Sequence, residues 1–271
     1  MTIRVRAPAT TANVGPGFDC AGIALELWNE VEVGEGNGDP DLRHLGIRAF
    51  ARLSSPRGRT FKWVNHIPRT RGLGSSAAVV ALGLVAGALA EGRDADPEWL
   101  LYEGVDLEGH ADNLAPALAG GVCLTWDGRI QRIADDTPAV PVALIPATTV
   151  STSASRAALP VSVPHGDAAF TAGRSAMLGA ALASGSADLF AQALADRLHE
   201  PYRAKDAPLL EAVRADLPAG AVGASLSGSG PTVLVWADPG AVETCAAELT
   251  ARFPDVRVEM LAVSREGAGP F

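Results

Sequence analysis

The sequence predicts an α+β protein, and three observations carry that reading. Strand-like and helix-like runs follow one another without the regular βα alternation that builds a doubly wound sheet. Two β-rich runs, 221–225 and 232–237, flank a tight glycine-rich turn, as the arms of a β-hairpin do. The texture of the chain changes at Pro141, so the expected division is an N-terminal part over 1–140 and a C-terminal part over 141–271. A chain of 271 residues holds one large or two modest domains and buries a full core without disulfide or metal staples.

The elements follow in order. Residues 3–7 and 29–33 alternate or carry β-formers and read as strands. The acidic run 34–41 is rich in turn residues and reads as a loop, and 42–53 fits a short helix. Residues 61–64 make a strand, followed by a loop with Pro68 and the run Gly72-Leu73-Gly74-Ser75-Ser76. From there to about Ala90 the chain is helical and apolar on all sides, which predicts a buried helix. A second helix covers 97–108, and a Gly/Pro-punctuated stretch, 109–121, leads into a strand at 122–126. Beyond Pro141 the expectations are a strand at 142–147, helices at 167–183, 187–198 and 206–215, and the hairpin strands. A helix at 239–252 and a strand at 256–263 close the chain.

Composition excludes several classes. With 48% hydrophobic and 20% charged residues the chain is not disordered. A net charge of −9 lacks the basic excess of a nucleic-acid binder, so no nucleic-acid partner is expected, although a local basic pocket for an anion stays open. The three cysteines, Cys20, Cys123 and Cys245, are too sparse for a disulfide framework or a zinc site. The N-terminus reads as a strand rather than a signal peptide. The longest apolar run, 77–90, is shorter than the roughly 20 residues that cross a bilayer, so the expected setting is cytoplasmic with no membrane partner.

Four stretches carry chemistry. Gly72-Leu73-Gly74-Ser75-Ser76 opens a strong helix, whose first N–H groups lack partners and whose dipole is positive there; the run reads as a plain N-cap or as a phosphate cradle. It is not a Walker A sequence, since no lysine follows the glycines. The run 224–232 spends more small residues than a hairpin turn requires. Something packs closely on its backbone, either a nucleotide or the first glycine loop. In 8–19, Asn13 and Asp19 sit among turn residues just after a strand. In 108–117, Glu108, His110, Asp112 and Asn113 crowd hydrogen-bonding side chains into a stretch with no second histidine at metal-ligand spacing.

Taken in order, PATTANVGPGFD, PRTRGLGSSAA, EGHADNLAPALAGG and GASLSGSGPT resemble the motifs of the GHMP small-molecule kinase superfamily over residues 8–232. The ANVGPGFD and HADNLAPAL forms are similar to the branch that phosphorylates the side-chain hydroxyl of homoserine on the way to threonine. The resemblance implies a GHMP kinase fold, with a ribosomal-protein-S5-like N-terminal part and a ferredoxin-like C-terminal part. ATP and Mg²⁺ are the implied cofactors and L-homoserine the implied small-molecule substrate, with room for a homodimer. Another GHMP kinase acting on a different small alcohol, or a non-catalytic member that senses a ligand, remains as an alternative.

The same resemblance implies roles. Pro68, Arg69, Thr70, Arg71, Gly72, Leu73, Gly74, Ser75, Ser76, Ala77 and Ala78 would wrap the ATP phosphates. Ser76, or Ser75 beside it, would hold Mg²⁺ together with Glu108; the chain is short before His110, which leaves Glu103 as a second choice. Asn13, Asp19, His110 and Asn113 would contact the substrate, and Arg156 and Arg203 would clamp its carboxylate. Asn13 and Arg156 are the implied catalytic residues. Asn113 stands where relatives such as mevalonate kinase carry a candidate base aspartate. Asparagine cannot take the proton, so the hydroxyl would attack directly, with Asp112 as a rival base. The stretch 34–61 is short where adenine contacts are expected.

Overall fold

The computed structural model describes residues 2–37 and 39–271. Among these, the chain opens with β1 (Ile3–Asn13) and β2 (Gly17–Glu35), a long antiparallel pair whose register slips at Pro8/Ala9 and again at Ala12/Asn13. There follow α1 (Leu45–Ala51), β3 (Arg59–Asn65), α2 (Ser75–Ala90), α3 (Pro97–Glu108), α4 (Ala111–Ala119), β4 (Val122–Trp126) and β5 (Arg129–Ala134). The second half runs β6 (Val140–Ile145), α5 (Thr152–Ala157), α6 (His165–Ser184), α7 (Ala187–Ala193), α8 (Glu200–Arg203), α9 (Pro208–Ala215) and β7 (Ala221–Leu226). β8 (Val233–Ala237), α10 (Val242–Arg252), β9 (Arg257–Met260) and β10 (Gly269–Pro270) complete it.

Two sheets organise these elements. The first has the order β10-β1-β2-β4-β5, with β3 also on β2; the second has the order β7-β8-β6-β9. The first sheet draws on both sides of residue 140, because the chain end comes home: Leu25 bridges Val263, Ala268 N–H donates to Ala117 O at 2.7 Å, and β10 pairs with β1. Alternation along the second sheet assigns its two faces. Val142 and Leu144 of β6, with Val233 and Val235 of β8, pack under α9 and α10. Ala143, Ile145, Leu234 and Trp236 point the other way into the main core. Both faces are buried, which is why β8 is apolar at every position.

The all-apolar helix is where the sequence puts it: α2 spans Ser75–Ala90 and is buried along nearly its whole length against α1, β1 and α3. Other expectations need correction. The stretch 109–121 contains α4, because a helix of nine residues tolerates Pro116 when tertiary contacts hold it. The helix expected over 187–198 ends at Ala193, where Asp196 takes over the backbone: its carboxylate accepts N–H bonds from Leu198, His199 and Glu200. The strand expected at 29–33 is the far end of β2, and β6 stops at Ile145 rather than 147. Strand β5 and helices α5 and α8 were not expected from sequence.

Candidate active site

The two glycine loops lock together. Gly72 has φ of 79° and Gly74 has φ of 63°, a region an L-residue rarely adopts. A Cβ on Gly72 would overlap the Ser227 carbonyl oxygen, and one on Gly74 would overlap Thr10 Oγ1. Ser227 Oγ lies 2.6 Å from Gly72 O and 2.9 Å from Thr11 Oγ1. Thr232 N–H donates to Arg71 O at 3.3 Å, and Gly228 N–H to Ala12 O at 3.1 Å. The partner that the second loop packs against is therefore the first. Arg71 braces both from outside, donating from Nε to Pro146 O at 2.8 Å and from Nη2 to Ala147 O at 2.7 Å.

These loops form one wall of a cleft. The cleft brings together Asn13, Asp19, Pro68, Thr70, Arg71 to Ser76, Glu108, His110, Asn113, Arg156 and Arg203 from five separate stretches of the sequence. Four expected residues do not line it. Ala77 and Ala78 are fully buried in the core, so α2 can offer a ligand only its first turn. Arg69 turns into an adjoining cavity with His44, Asn65 and Val79, which meets the cleft at Thr70, Ser75 and Ser76. Glu103 accepts from Trp99 Nε1 at 3.2 Å on the side of α3.

The α3–α4 junction supplies the acidic wall. Glu108 is the last residue of α3, where the helix dipole is unfavourable to a negative charge. Its Oε2 is buried without a hydrogen-bond partner. Burial, then Asp112 nearby, pushes its pKa up to about 7, with a hydrogen bond from Ser76 opposing. His110 precedes α4, half-buried; burial, then Arg156, lowers its pKa. Asp112 is 3% exposed, and burial followed by Asp19 raises its pKa to about 6. Asn113 accepts the Thr10 hydroxyl at 2.8 Å and reaches Asp112 with its amide at 3.5 Å.

The opposite wall is built on the β1–β2 turn, where Asn13, Val14 and Asp19 all have positive φ. Such clustered strain marks a geometry enforced by its surroundings. Asn13 enforces much of it: Oδ1 accepts Asp19 N–H at 3.0 Å, and Nδ2 donates to Gly228 O at 3.0 Å. Asp19 in turn pairs with Arg156 through two parallel bonds, Nη1 to Oδ2 at 3.0 Å and Nη2 to Oδ1 at 2.8 Å. Arg203 is different. It is 3% exposed, no carboxylate stands within ion-pair distance among the described residues, and its Nε has no partner. Burial, then the nearby Arg156, lowers its pKa. A buried guanidinium without a carboxylate is a receptor for an anion.

Sequence reasoning missed Thr10, Phe18, Asp196 and His199. Thr10 and Phe18 lie inside the first motif but carry no signal of their own. Phe18 stacks on His199 with ring centroids 5.0 Å apart, and both the Arg156 and Arg203 guanidinium carbons lie over its ring, at 5.7 Å and 5.4 Å. His199 and Asp196 flank the segment that holds Arg203, and that adjacency was their only signal.

The residues present fit a divalent cation that is also bound by phosphate. Glu108 has an unused buried oxygen, Ser76 is beside it, and Mg²⁺ favours oxygen ligands. No cluster of three or more His, Cys, Asp or Glu able to hold a metal occurs among the described residues, so ligands beyond Glu108 and Ser76 would come from phosphate and water.

Comparison with known proteins gives the same outline. The family model described as GHMP kinases N terminal domain matches residues 44–121, and the GHMP kinases C terminal model matches residues 178–255. The homoserine kinase of Streptomyces avermitilis is 42% identical over 90% of this chain and 88% of its own length. That of Gloeobacter violaceus is 40% identical, covering 93% of each chain. The crystal structure of homoserine kinase from Cytophaga hutchinsonii superposes with a TM-score of 0.88 at 25% identity, covering 100% of this chain and 97% of that one. A mevalonate kinase structure, at 14% identity and TM-score 0.73 over 98% of this chain and 100% of its own, shares the fold.

Proposed function

The chain belongs to the GHMP kinases, and within them to the homoserine kinases, and from that premise we propose how its residues act. The protein transfers the γ-phosphoryl group of ATP to the side-chain hydroxyl of L-homoserine, giving O-phosphohomoserine and ADP. The observation that carries the substrate reading is the cleft's charge pattern: an Asp19–Arg156 pair and a buried Arg203 without a carboxylate, facing a helix N-terminus.

Homoserine is a zwitterion, and the Asp19–Arg156 pair matches both its ends. The ammonium takes the place of Arg156 on Asp19, and the carboxylate takes the place of Asp19 on Arg156 while also meeting Arg203. One planar fork is exchanged for another, so the swap needs no unpaired intermediate charge. Asn13 fixes the turn that holds Asp19, and His110 and Asn113 close the pocket around the hydroxyl. The ATP phosphates lie against Thr70 to Ser76 and the first turn of α2, whose dipole suits them. Glu108 with Ser76 would hold Mg²⁺, which would supply neutralisation of phosphate charge. The base occupies the adjoining cavity, lined by His44, Leu45 and Asn65, with Trp63 packed on the His44 ring at 4.4 Å between centroids.

In the reaction the hydroxyl oxygen attacks the γ-phosphorus, the bond to the β–γ bridging oxygen breaks, and the hydroxyl proton leaves. Positioning and charge neutralisation supply the rate, so no strong base is required and Asn113 is compatible with turnover. The 140/141 division separates a phosphate-binding part from a part that contributes both substrate arginines. The protein works in the cytoplasm, alone or as a homodimer; among the described residues no helix is long and apolar enough to cross a membrane.

The test is homoserine-dependent release of ADP by purified protein with Mg-ATP, with mevalonate and shikimate as competitors for the assignment. Homoserine is the preferred acceptor. Arg156→Lys and Arg203→Lys each lower kcat/KM for homoserine by about tenfold or more, because lysine cannot reproduce the two-bond fork. No homoserine-dependent turnover by folded protein would overturn the reading.

A further inference from the structure

His199 is completely buried at the junction of α7 and α8, in a segment that no motif above singles out. Its Nε2 lies 2.7 Å from Gly15 O, an acceptor only. Nε2 therefore carries the proton and donates. Its Nδ1 lies 3.1 Å from Arg203 Nη1, a group with nothing to offer but protons. Nδ1 is therefore bare and accepts. Each contact alone fixes the tautomer, and together they exclude the imidazolium, which would face Arg203 with a second donor and a second positive charge. The charged groups around the ring are Asp196 and Glu200, from the turn before α8 and from α8 itself, and Arg203. Both carboxylates are otherwise engaged, Asp196 by backbone N–H groups and Glu200 by Leu226 N–H and Arg214.

The second acceptor on Arg203 Nη1 is Gly228 O, at 3.1 Å. Thus every partner of this buried guanidinium is neutral. Glu200 is the contrasting case: 1% exposed, it is met by an opposite ion, accepting from Arg214 Nη2 at 2.6 Å. Arg203 instead keeps its charge while its direction is fixed. The fixing elements also define the substrate pocket. Gly15 lies in the strained turn between Asn13 and Asp19, Gly228 O is the atom that Asn13 Nδ2 also holds, and the imidazole face stacks on Phe18.

We propose that His199 is a positioning residue for substrate recognition: as an obligate neutral acceptor it aims the Arg203 guanidinium into the cleft without neutralising it, so the full charge stays available for the substrate carboxylate. The inference rests on Arg203 meeting that carboxylate, as set out above. A carboxylate at 199 would hold Arg203 equally well in space and consume the charge. Tethered at Gly15 and stacked on Phe18, the ring also couples the seat of Arg203 to the turn that carries Asp19, so the sites for the two ends of the substrate are set by one side chain.

The experiment compares homoserine with 3-amino-1-propanol, which keeps the amine and hydroxyl and lacks the carboxylate, across His199→Asn, His199→Asp and Arg203→Lys at pH 8. Asn and Asp have one shape and differ in charge. For homoserine, His199→Asp loses about tenfold or more in kcat/KM beyond His199→Asn, mainly through KM, while KM for Mg-ATP stays within about twofold. For 3-amino-1-propanol the two variants agree within about threefold. A merely structural role would lower both substrates alike and treat Asn and Asp alike, and that result overturns the proposal. If His199→Asp does not fold, as judged by its thermal transition, His199→Asn decides: a loss at least about threefold greater on homoserine than on the alcohol supports the proposal, and equal losses overturn it. Arg203→Lys separates the two layers. Equal losses on both substrates there would remove the carboxylate reading itself. A homoserine-selective loss there, with equal losses at His199→Asn, would remove only the role of His199.

Discussion

Glu200 and Glu108 are both carboxylates drawn into the protein at helix ends, and the fold treats them in opposite ways. Glu200 begins α8, the end where a dipole favours an anion, and both its oxygens are used: Oε1 accepts Leu226 N–H at 2.8 Å and Oε2 accepts Arg214 at 2.6 Å. Glu108 ends α3, the unfavourable end, and one buried oxygen has no partner. The first carboxylate joins α8, α9 and β7 into one unit. In the function proposed above, the second is held ready for a ligand that the protein must bring in. The contrast teaches that buried charge alone does not locate chemistry. What locates it is buried charge that the chain leaves uncompensated, and on the opposite wall Arg203 repeats the pattern with the sign reversed.

The largest effect that could break this contrast comes from Glu108→Gln. If Glu108 serves the ligand, kcat falls by about a thousandfold, roughly 4 kcal/mol of transition-state stabilisation. The thermal transition of the free protein does not fall, because an uncompensated buried charge has been removed. Glu103→Gln stays within about twofold of wild type in kcat, since its amide oxygen still accepts from Trp99. A Glu108→Gln protein with a lower Tm and near-normal turnover would place Glu108 with Glu200, as a structural residue. Glu200→Ala is the reciprocal case. It strands the buried Leu226 N–H and half of an ion pair, and costs about 3 kcal/mol, read as a Tm lower by roughly 8 °C in a thermal melt.

Part of this was legible in the sequence. The buried helix α2 and the helix α3 declare themselves, one through an unbroken apolar run and one through Asp96-Pro97 at its start and Gly109 at its end. The family resemblance that the motifs carry pointed to Asn13, Asp19, Glu108, His110, Asn113, Arg156 and Arg203, all of which line one cleft. Helix α4 was hidden because Pro116 and its flanking glycines have strong local loop preferences, which tertiary packing overrides. His199 was hidden for a deeper reason. Its role depends on Gly15 and Gly228, far away in sequence, and a lone histidine gives no hint of which carbonyl will meet it. The pairing of Asp19 with Arg156 was equally invisible, since the expectation gave each a separate duty toward the substrate.

A third carboxylate sharpens the contrast through pH. Asp112 is buried like Glu200 and accepts from Asn113, whose side-chain amide lies at 3.5 Å, yet burial and then the nearby Asp19 hold its pKa at about 6 against an ordinary 3.8. A carboxyl raised on folding binds its proton more tightly in the native state, so stability falls as pH rises from about 3.8 to about 6, and the full penalty is present above that. Asp112→Asn removes the penalty. The variant is therefore more stable than wild type at pH 8 by about 3 kcal/mol and no more stable at pH 3, which urea titrations at the two pH values will measure. A pH-independent difference would mean that the environment compensates Asp112 as fully as it does Glu200.

The smallest expected effect separates the helix that carries Glu108 from the charge it presents. Asp96 caps α3, accepting Trp99 N–H at 2.8 Å, thirteen residues before Gly109, the cap glycine that follows Glu108. Removing a capping carboxylate at a helix N-terminus costs about 1 kcal/mol, because one first-turn N–H loses its acceptor and the positive end of the dipole loses its counter-charge. That loss lies at the far end of α3 from the cleft. Between the two ends Leu100, Leu101 and Gly104 are buried against the core, and they hold the helix axis whether or not its first turn frays. Asp96→Ala therefore lowers Tm by roughly 3 °C and leaves kcat within about twofold of wild type. Were kcat to fall with the cap, Glu108 would depend on the whole length of α3 for its position, and the unsatisfied carboxylate would be a consequence of how that helix is seated rather than a separate feature of the cleft.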